Sequence, residues 1–359
     1  MKHLKILAFS LSALLATYIG LGSAYAKVGD PAVDLLANKI DRILKSDSPR
    51  KFNGVISIEK DGKNIYAKAQ GYADFDKQER LKLHDNFRIQ SNSKQITGVL
   101  ILKEVEKGSI DLARPVSEYL PTLQVDWAKL VTVHQLVNMS AGIVALDKPL
   151  LFQPGTGFHY SNPAYALLGR IIEQVSGKKY SEVANAFFKE IGMHNTFCYD
   201  YDENEQALVN GYQWAQDKYQ LVNFNKLGFT PATWEDFIPT GGIISNVQDL
   251  HIWDTKLHNG ELLSRHSYEI MTTSNVPDTF TPLSEDEIAY GYGINIINAP
   301  ISFLGHGGSG FGFASIKFYI PEKKINVIVL ENLFHDEIPI RYFYQTEIRK
   351  LVLGSDLVR

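Results

Sequence analysis

Residues 87–112, FRIQSNSKQITGVLILKEVEKGSIDL, decide the fold of this chain, because a polar start is followed by a helix pattern with an apolar body. A helix of this composition, here ending near Gly108, is typical of a large buried core. At its start, Ser91 precedes Lys94 by three residues, which places the hydroxyl and the amine on one helix face. A buried lysine loses its charge readily and can then accept a proton from a serine. The stretch therefore predicts a reactive pair at the start of a core helix.

The same Ser-x-x-Lys spacing occurs at three other places, so the spacing alone is weak evidence. These pairs are Ser48–Lys51, Ser57–Lys60 and Ser176–Lys179. The first lies in a polar connector, and the second lies in a strand pattern, where an offset of three separates the side chains onto opposite faces. The third stands at a helix end, beside a glycine typical of a C-cap. The alternative for Ser91 is a helix N-cap beside a solvated lysine.

Strand patterns are concentrated at the two ends of the chain. Strands are predicted over 52–59 and 64–70, with the hairpin signal Asp61-Gly62 between them, and over 311–320 and 324–331. Helices are predicted over 30–45 and 337–353, outside these strands. Residues 90–280 are mostly typical of helices and loops.

Neither end has enough strands for a stable sheet of its own. We therefore expect an α+β fold in which both termini build one antiparallel sheet with flanking helices, an α/β/α sandwich, beside an all-helical subdomain. The sheet part covers about 27–90 and 285–359, and the mostly helical part about 91–284. An active site is expected in the cleft between the two parts.

The N-terminus has the pattern of a signal peptide, residues 1–26. A basic start with Lys2 and Lys5 precedes an apolar run to about Gly22, and Ala24-Tyr25-Ala26 is typical of a cleavage site. The alternative is a membrane anchor, but the run contains serines, a threonine and glycines and is weak as a spanning helix. Export is therefore predicted, to the periplasm or the medium, with no stable membrane insertion after cleavage.

Charge and cysteine content narrow the class of protein further. The net charge is −4, and loss of residues 1–26, with two lysines and no acidic residue, makes it −6. Without a basic block, nucleic acid and anionic membranes are poor partners. The single cysteine, Cys198, excludes an intrachain disulfide and is predicted to be a small buried residue rather than a nucleophile.

A second polar motif, HYSNP at 159–163, precedes an apolar helix pattern. The phenol of Tyr160 could act as a base beside cations. The amide of Asn162 offers both a donor and an acceptor to a substrate amide. The alternative is that Asn162 caps the following helix and Tyr160 only packs.

A third motif, GHGGSG at 305–310, stands next to a predicted strand. Glycines beside a strand allow a ligand backbone to approach closely, and unhindered N–H groups there can hold an oxyanion. The alternative is a glycine-rich turn between two strands.

Together the motifs Ser91-x-x-Lys94, Tyr160-x-Asn162 and His306-Gly307-Gly308 resemble those of class C β-lactamases, serine DD-peptidases and related esterases and D-aminopeptidases. The resemblance extends from about residue 35 to about residue 350. Class C β-lactamases have a lysine where this chain has His306. This difference favours a peptidase or an esterase over a dedicated β-lactamase.

The resemblance implies a serine hydrolase that forms an acyl-enzyme on Ser91, with Lys94 and Tyr160 moving the proton. The N–H groups of Ser91 and Ser309 would hold the oxyanion. His306 would supply a positive charge toward a substrate carboxylate, so that affinity for such substrates falls above neutral pH.

The remaining substrate contacts implied by the resemblance come from Asn162, Gly307 and Gly308. No metal or cofactor is implied. The substrate is expected to be a small amide, ester or peptide, with peptidoglycan-derived peptides as one source. The alternatives are a class C-type β-lactamase and an inactive penicillin-binding sensor or cell-wall-binding module on the same fold.

Overall fold

The structure, a computed structural model, describes residues 30–201, 208–216, 218–273, 276–278, 288–298 and 300–359. The predicted signal peptide, residues 1–26, lies outside these residues. None of the helices in the described ranges combines the length and the apolar composition needed to cross a membrane.

The strands of the described residues fall into one large sheet and three small ones. They are β1 (Gly54–Lys60), β2 (Lys63–Gln70), β3 (Tyr72–Asp74), β4 (Glu79–Arg80), β5 (Phe87–Arg88), β6 (Tyr212–Ala215), β7 (Lys218–Leu221), β8 (Ile244–Ser245), β9 (Pro277–Asp278), β10 (Ile288–Tyr290), β11 (Asn295–Ile297), β12 (Phe303–Gly310), β13 (Phe313–Ile320), β14 (Ile325–Glu331) and β15 (Leu333–Phe334). The large sheet is antiparallel throughout, in the order β2-β1-β14-β13-β12-β11-β10-β9.

Eleven α-helices accompany these strands in the described residues. They are α1 (Pro31–Leu44), α2 (Ser93–Glu106), α3 (Val116–Tyr119), α4 (Val133–Val137), α5 (Asn162–Ser176), α6 (Tyr180–Glu190), α7 (Pro231–Phe237), α8 (Val247–His258), α9 (Arg265–Met271), α10 (Ile338–Arg341) and α11 (Phe343–Leu353). Short 3₁₀ turns lie at Gln90–Asn92, Asp126–Lys129, Phe224–Lys226 and Pro321–Lys323, and a π turn lies at Ile238–Gly242.

The central strands are buried on both faces, which explains why helices flank the sheet on both sides. Side chains alternate between the faces along a strand, so in β1 Ile56 and Ile58 belong to one apolar core and Val55 to the other. Helices α1 and α11 complete the first core, while α8 packs on β1 and β14 from the second. The predicted fold class, one antiparallel sheet built from both termini with flanking helices, is confirmed.

Local structure departs from the sequence prediction in three places. The predicted helix over 337–353 is interrupted at Tyr342, whose buried side chain hydrogen bonds with Ser309, so α10 and α11 are separate. The glycine-rich motif is itself a strand, β12, and not a turn. The β6–β7 hairpin lies in a stretch for which helices and loops were expected.

The turn between β12 and β13 consists of Phe311 and Gly312, with φ of 49° and 89°. Two-residue hairpin turns of this conformation favour asparagine or glycine at both positions. A left-handed backbone costs other L-residues about 1–2 kcal/mol. Packing offsets this strain, because the ring centroid of Phe311 lies 5.5 Å from those of Phe224 and Phe237.

Two glycines bring the sheet directly against the predicted core helix α2. A Cβ on Gly98 would lie 2.7 Å from the carbonyl oxygen of Tyr292, and one on Gly293 would lie 2.3 Å from that of Lys94. The segment between β10 and β11 therefore packs against the backbone of Lys94 and holds α2 at the edge of the sheet.

Candidate active site

Ser91 lies in the 3₁₀ turn Gln90–Asn92, which leads into α2 and is fixed to β12 and β13. Gln90 has a φ of 51°, and its side-chain amide donates to the carbonyl of Gly310 at 2.8 Å. On the other side, Asn92 Nδ2 donates to Ser315 Oγ at 2.9 Å, and Ser315 Oγ donates to the carbonyl of Ile89 at 2.8 Å. Backbone strain of this kind is typical of functional sites, where surrounding contacts over-determine the geometry.

Lys94 is fully buried, and its amine lies next to the hydroxyl of Ser91. Nζ donates to Ser91 Oγ at 3.1 Å and to the carbonyl of Thr240 at 2.7 Å. It also lies 4.9 Å from the ring centroid of Tyr160. Burial lowers the pKa of Lys94 to about 7, because no solvent stabilises its charge. A large fraction of this lysine is therefore neutral at neutral pH and can accept the proton of Ser91. The alternative of a solvated lysine is wrong.

The reactivity of Ser91 should therefore depend on pH through Lys94. Only the neutral amine accepts a proton, so we expect the rate of labelling by a fluorophosphonate to rise about tenfold between pH 6 and 8 and then level off. The measurement is the second-order labelling rate from pH 5 to 10. A rate that continues to rise beyond pH 9 would show an ordinary lysine and contradict this account.

Tyr160 reaches the same place from the loop before α5. Met139 holds this loop, since its carbonyl accepts the N–H of His159 at 3.0 Å and its sulfur accepts that of Ser161 at 3.1 Å. The cap of α5 is Ser161, whose hydroxyl accepts the N–H of Ala164 at 3.1 Å. Asn162 is the first helical residue and its side chain is exposed, so the capping alternative for it is wrong. Tyr160 is 38% exposed and can meet a ligand from the solvent side.

Strand β12 has one edge that no strand of the described residues covers. It pairs with β13 over Leu304–Gly310, but with β11 only over Phe303–Gly305. The part 306–310 therefore offers backbone groups on its other side, beside the Ser91 turn. An extended ligand can add to such an edge as a further strand. We call this part of β12 the open edge.

Gly308 allows the open edge to approach the backbone of Ser91. A Cβ at this position would lie 2.6 Å from the carbonyl oxygen of Ile89 and 2.7 Å from the N–H nitrogen of Ser91. Both are backbone atoms, so neither can move away without shifting the chain. Any other residue would therefore displace the Ser91 turn from β12, and with it the N–H groups expected to hold an oxyanion.

The Gly308→Ala variant is expected to lose on the order of 100-fold in the labelling rate of Ser91, the cost of losing an oxyanion contact. Gly354→Ala is the matched control, since Gly354 follows α11 on the opposite face of the sheet, with an ordinary φ of −87°. The two variants are compared by fluorophosphonate labelling and by thermal unfolding. Wild-type labelling of a folded Gly308→Ala protein would show that the close approach is unimportant.

His306 requires a correction to the sequence prediction, because the histidine is buried and uncharged. Nδ1 lies 2.5 Å from the carbonyl oxygen of Gly307, which can only accept, so Nδ1 bears the proton. Nε2 lies within hydrogen-bond distance of the hydroxyl of Tyr290, at 3.0 Å. Burial and the charge of Lys94 lower the pKa of His306 to about 3. The predictions that this residue supplies a positive charge and titrates near neutral pH are therefore wrong.

A different cation, Arg341, lies beside the open edge. Its guanidinium donates to Ser309 Oγ at 3.2 Å, and the carbonyls of His335 and Asp336 hold it in place at 2.6 and 2.8 Å. Burial lowers the pKa of Arg341, but an arginine keeps its charge in proteins. Arg341 lies outside every motif of the sequence.

The structure brings the three sequence motifs together from distant parts of the chain. Lys94 contacts Ser91, its amine faces the ring of Tyr160, and that ring lies 6.2 Å from the ring of His306. Thr240, Tyr290 and Arg341 also belong to the site, but no motif marked them. Their contacts form across large sequence separations, for example 146 residues between Lys94 and Thr240.

Comparison with known families gives a match over most of the chain. Residues 40–347 match the family profile described as Beta-lactamase. Protein flp of Staphylococcus aureus is 24% identical over 336 residues, which cover 84% of this chain. The chain spans 64% of the length of that relative.

Solved structures show the same fold. The octameric penicillin-binding protein homologue from Pyrococcus abyssi is 28% identical, with a TM-score of 0.75, covering 89% of this chain and 78% of its own. The D-amino acid amidase from Ochrobactrum anthropi is 22% identical, with a TM-score of 0.75, covering 88% of this chain and 97% of its own. At 22% identity, the second likeness concerns the fold alone.

Proposed function

Since this chain belongs to the β-lactamase family, we propose that it is a serine hydrolase that cleaves small amides or esters through an acyl-enzyme on Ser91. The proposed substrates are those of D-aminopeptidases, DD-peptidases and esterases. The observation that carries the proposal is the hydroxyl of Ser91 at 3.1 Å from the buried amine of Lys94, whose pKa is lowered to about 7.

Acylation follows from this geometry. Ser91 Oγ bonds to the acyl carbon while the neutral amine of Lys94 takes its proton. The oxyanion is held by the N–H groups of Ser91 and Ser309, which the absence of a Cβ on Gly308 allows to lie close together. Lys94 and Tyr160 pass the proton to the departing amine or alcohol, and its bond to the acyl carbon breaks.

Deacylation reverses the roles with water as the nucleophile. Tyr160 and Lys94 take a proton from the water as its oxygen bonds to the acyl carbon. The ester bond to Ser91 then breaks, Oγ recovers the proton, and the acid product leaves. The exposed position of Tyr160 is compatible with the entry of water at this side.

The neutral His306 supports an amidase, peptidase or esterase rather than a class C-type β-lactamase. A lysine at this position would be a second buried cation near Lys94, whereas the imidazole contributes only hydrogen bonds. The signal-peptide pattern of residues 1–26 supports an exported hydrolase, with wall-derived peptides as one source of substrate.

The test uses the chain without residues 1–26 at neutral pH. It measures hydrolysis of three substrates: a D-amino-acid amide, a short-chain p-nitrophenyl ester and a cephalosporin. We expect the amide or the ester to have the highest kcat/KM. A cephalosporin turned over far faster than both would favour the β-lactamase alternative. Covalent labelling without turnover of any substrate would favour the penicillin-binding sensor.

The preference for a charged over a neutral substrate should not depend on pH near neutrality. Arg341 stays cationic and His306 stays neutral, and both substrates react only with the neutral amine of Lys94, so the titration of Lys94 cancels in the ratio. We therefore expect the ratio of kcat/KM for a carboxylate-bearing peptide to that for a neutral ester to change less than twofold between pH 6 and 8. Both substrates are measured in the same buffers. If the ratio falls as the pH rises, with a midpoint near pH 6.5, and this fall is absent in His306→Asn, His306 is charged at acidic pH and this account of it is wrong.

A further inference from the structure

Four phenylalanines, Phe224, Phe229, Phe237 and Phe311, form a continuous surface that the proposed reaction does not use. We call it the aromatic wall. Phe311 lies 5.5–5.8 Å from the other three ring centroids, and Phe229 lies 5.3 Å from Phe237. We propose that the aromatic wall binds an aromatic ring on the acyl group of the substrate. This inference rests on the proposed function and names the substrate class of the same site.

The wall adjoins the Ser91 turn across Gly241, which lies next to a ring of the wall and next to the residue before Ser91. A Cβ on Gly241 would lie 2.9 Å from the ring of Phe237 and 3.4 Å from Gln90 Oε1. Gly241 directly follows Thr240, whose carbonyl accepts the amine of Lys94. At its other end the wall contains Phe311, the residue after the open edge. The wall is therefore a direct continuation of the candidate site.

The direction of the open edge shows which end of the substrate would reach the wall. Its first residue, His306, lies beside Tyr160, which delivers the proton to the leaving group. The leaving group is thus at that end, and the acyl group extends toward Gly310 and Phe311. The acyl carbon lies at Ser309, which holds the oxyanion two residues before Phe311, and a strand rises about 3.3 Å per residue, so about 7 Å separates the acyl carbon from the wall. This distance suits an acyl group with one ring.

All four rings of the wall remain partly accessible to solvent, and Leu227, between two of them in sequence, is 39% exposed. Contiguous apolar surface beside a polar cleft is typical of a ligand site. The wall is also rigid, because Trp234 packs behind Phe229 and Phe237, and the buried guanidinium of Arg88 lies 4.2 Å from the centroid of Phe224. Ring pairs at these edge-to-face distances favour another aromatic ring over an aliphatic chain.

The left-handed backbone of Phe311 agrees with a function for its ring. Its turn would be more stable with asparagine followed by glycine, the common sequence for this conformation. Phenylalanine at a left-handed position is unfavourable for stability, and strain of this kind is found where a side chain is needed for binding. The ring of Phe311 is the part of the residue that asparagine would not supply.

The experiment compares p-nitrophenyl phenylacetate with p-nitrophenyl acetate, which share one leaving group and carry no charge. In the wild-type protein we expect the phenylacetyl ester to have a kcat/KM at least about tenfold higher. In Phe311→Asn this ratio should fall to near one. The unfolding temperature should change little, because relief of backbone strain and loss of ring packing oppose each other. Phe343→Ala is the matched control, because it removes a partly buried ring that packs against the core of α1 and α11.

A second variant, Phe237→Leu, keeps the apolar volume and removes one ring, so it decides the matter if Phe311→Asn does not fold. It should lower the same ratio. An unchanged ratio in a folded Phe311→Asn or Phe237→Leu protein, or a wild-type ratio near one, would overturn the aromatic site and leave the hydrolase intact. A wild-type protein that hydrolyses neither ester and forms no adduct on Ser91 would overturn the proposed function and the inference with it.

Discussion

The Ser91→Ala variant is expected to lose at least about four orders of magnitude in kcat/KM for the best substrate, as for the loss of a nucleophile in other serine hydrolases. The fold should be unaffected, because Gln90, Asn92 and Ser315 hold the turn without the hydroxyl of Ser91. Steady-state kinetics and thermal unfolding of the same preparation measure both effects.

Ser176→Ala is the control for Ser91→Ala, since Ser176 is followed by a lysine at the same spacing but lies at the end of α5. It should retain wild-type kinetics. A folded Ser91→Ala protein with more than a tenth of the wild-type activity would show that another residue is the nucleophile.

Lys94→Met and Tyr160→Phe are each expected to lower kcat by about a thousandfold, and the double variant should be little worse than the poorer single one. Groups that move one proton together are strongly non-additive, and the amine of Lys94 lies 4.9 Å from the ring of Tyr160. Methionine is chosen because Lys94 is fully buried and a smaller residue would leave a cavity.

The double variant is the decisive member of this series. Two losses that multiply, giving about a millionfold in total, would mean that Lys94 and Tyr160 act in separate steps. Lys94→Arg is a useful companion, because it keeps a cation and removes the base. Substantial activity in Lys94→Arg would mean that the amine contributes charge and not proton transfer.

The sheet was predictable from the sequence where the pattern is local. The β1–β2 hairpin follows from alternating side chains on either side of Asp61-Gly62, whose φ values of 52° and 70° suit those residues. The strands β13 and β14 follow from their high content of β-branched and aromatic residues. Helix α1 follows from its spacing of apolar residues.

The glycine-rich motif shows where local patterns fail. Glycine weakens a strand, so 305–310 was as typical of a turn as of a strand. Pairing with β13 over Leu304–Gly310 makes this segment a strand. A glycine is required at position 308 because the strand passes too close to the backbone of Ser91 for a Cβ. Both reasons involve residues far away in the sequence.

The charge of the site residues could be predicted for Lys94 but not for His306. The apolar helix around Lys94 is visible in the sequence, and its burial lowers the pKa of the lysine. The burial of His306, and its position near Lys94, come from the packing of β12 against the Ser91 turn that precedes α2. Arg341 lacked any local signal, because only the break at Tyr342 places it beside Ser309.

The central claim is the acyl-enzyme on Ser91, and mass spectrometry tests it most directly. The chain without residues 1–26 is incubated with a labelled penicillin, quenched in acid, digested and mapped. We expect a single adduct, on the peptide that contains Ser91, and none in Ser91→Ala. An adduct at Ser48, Ser57 or Ser176, or one that persists in Ser91→Ala, would contradict the account.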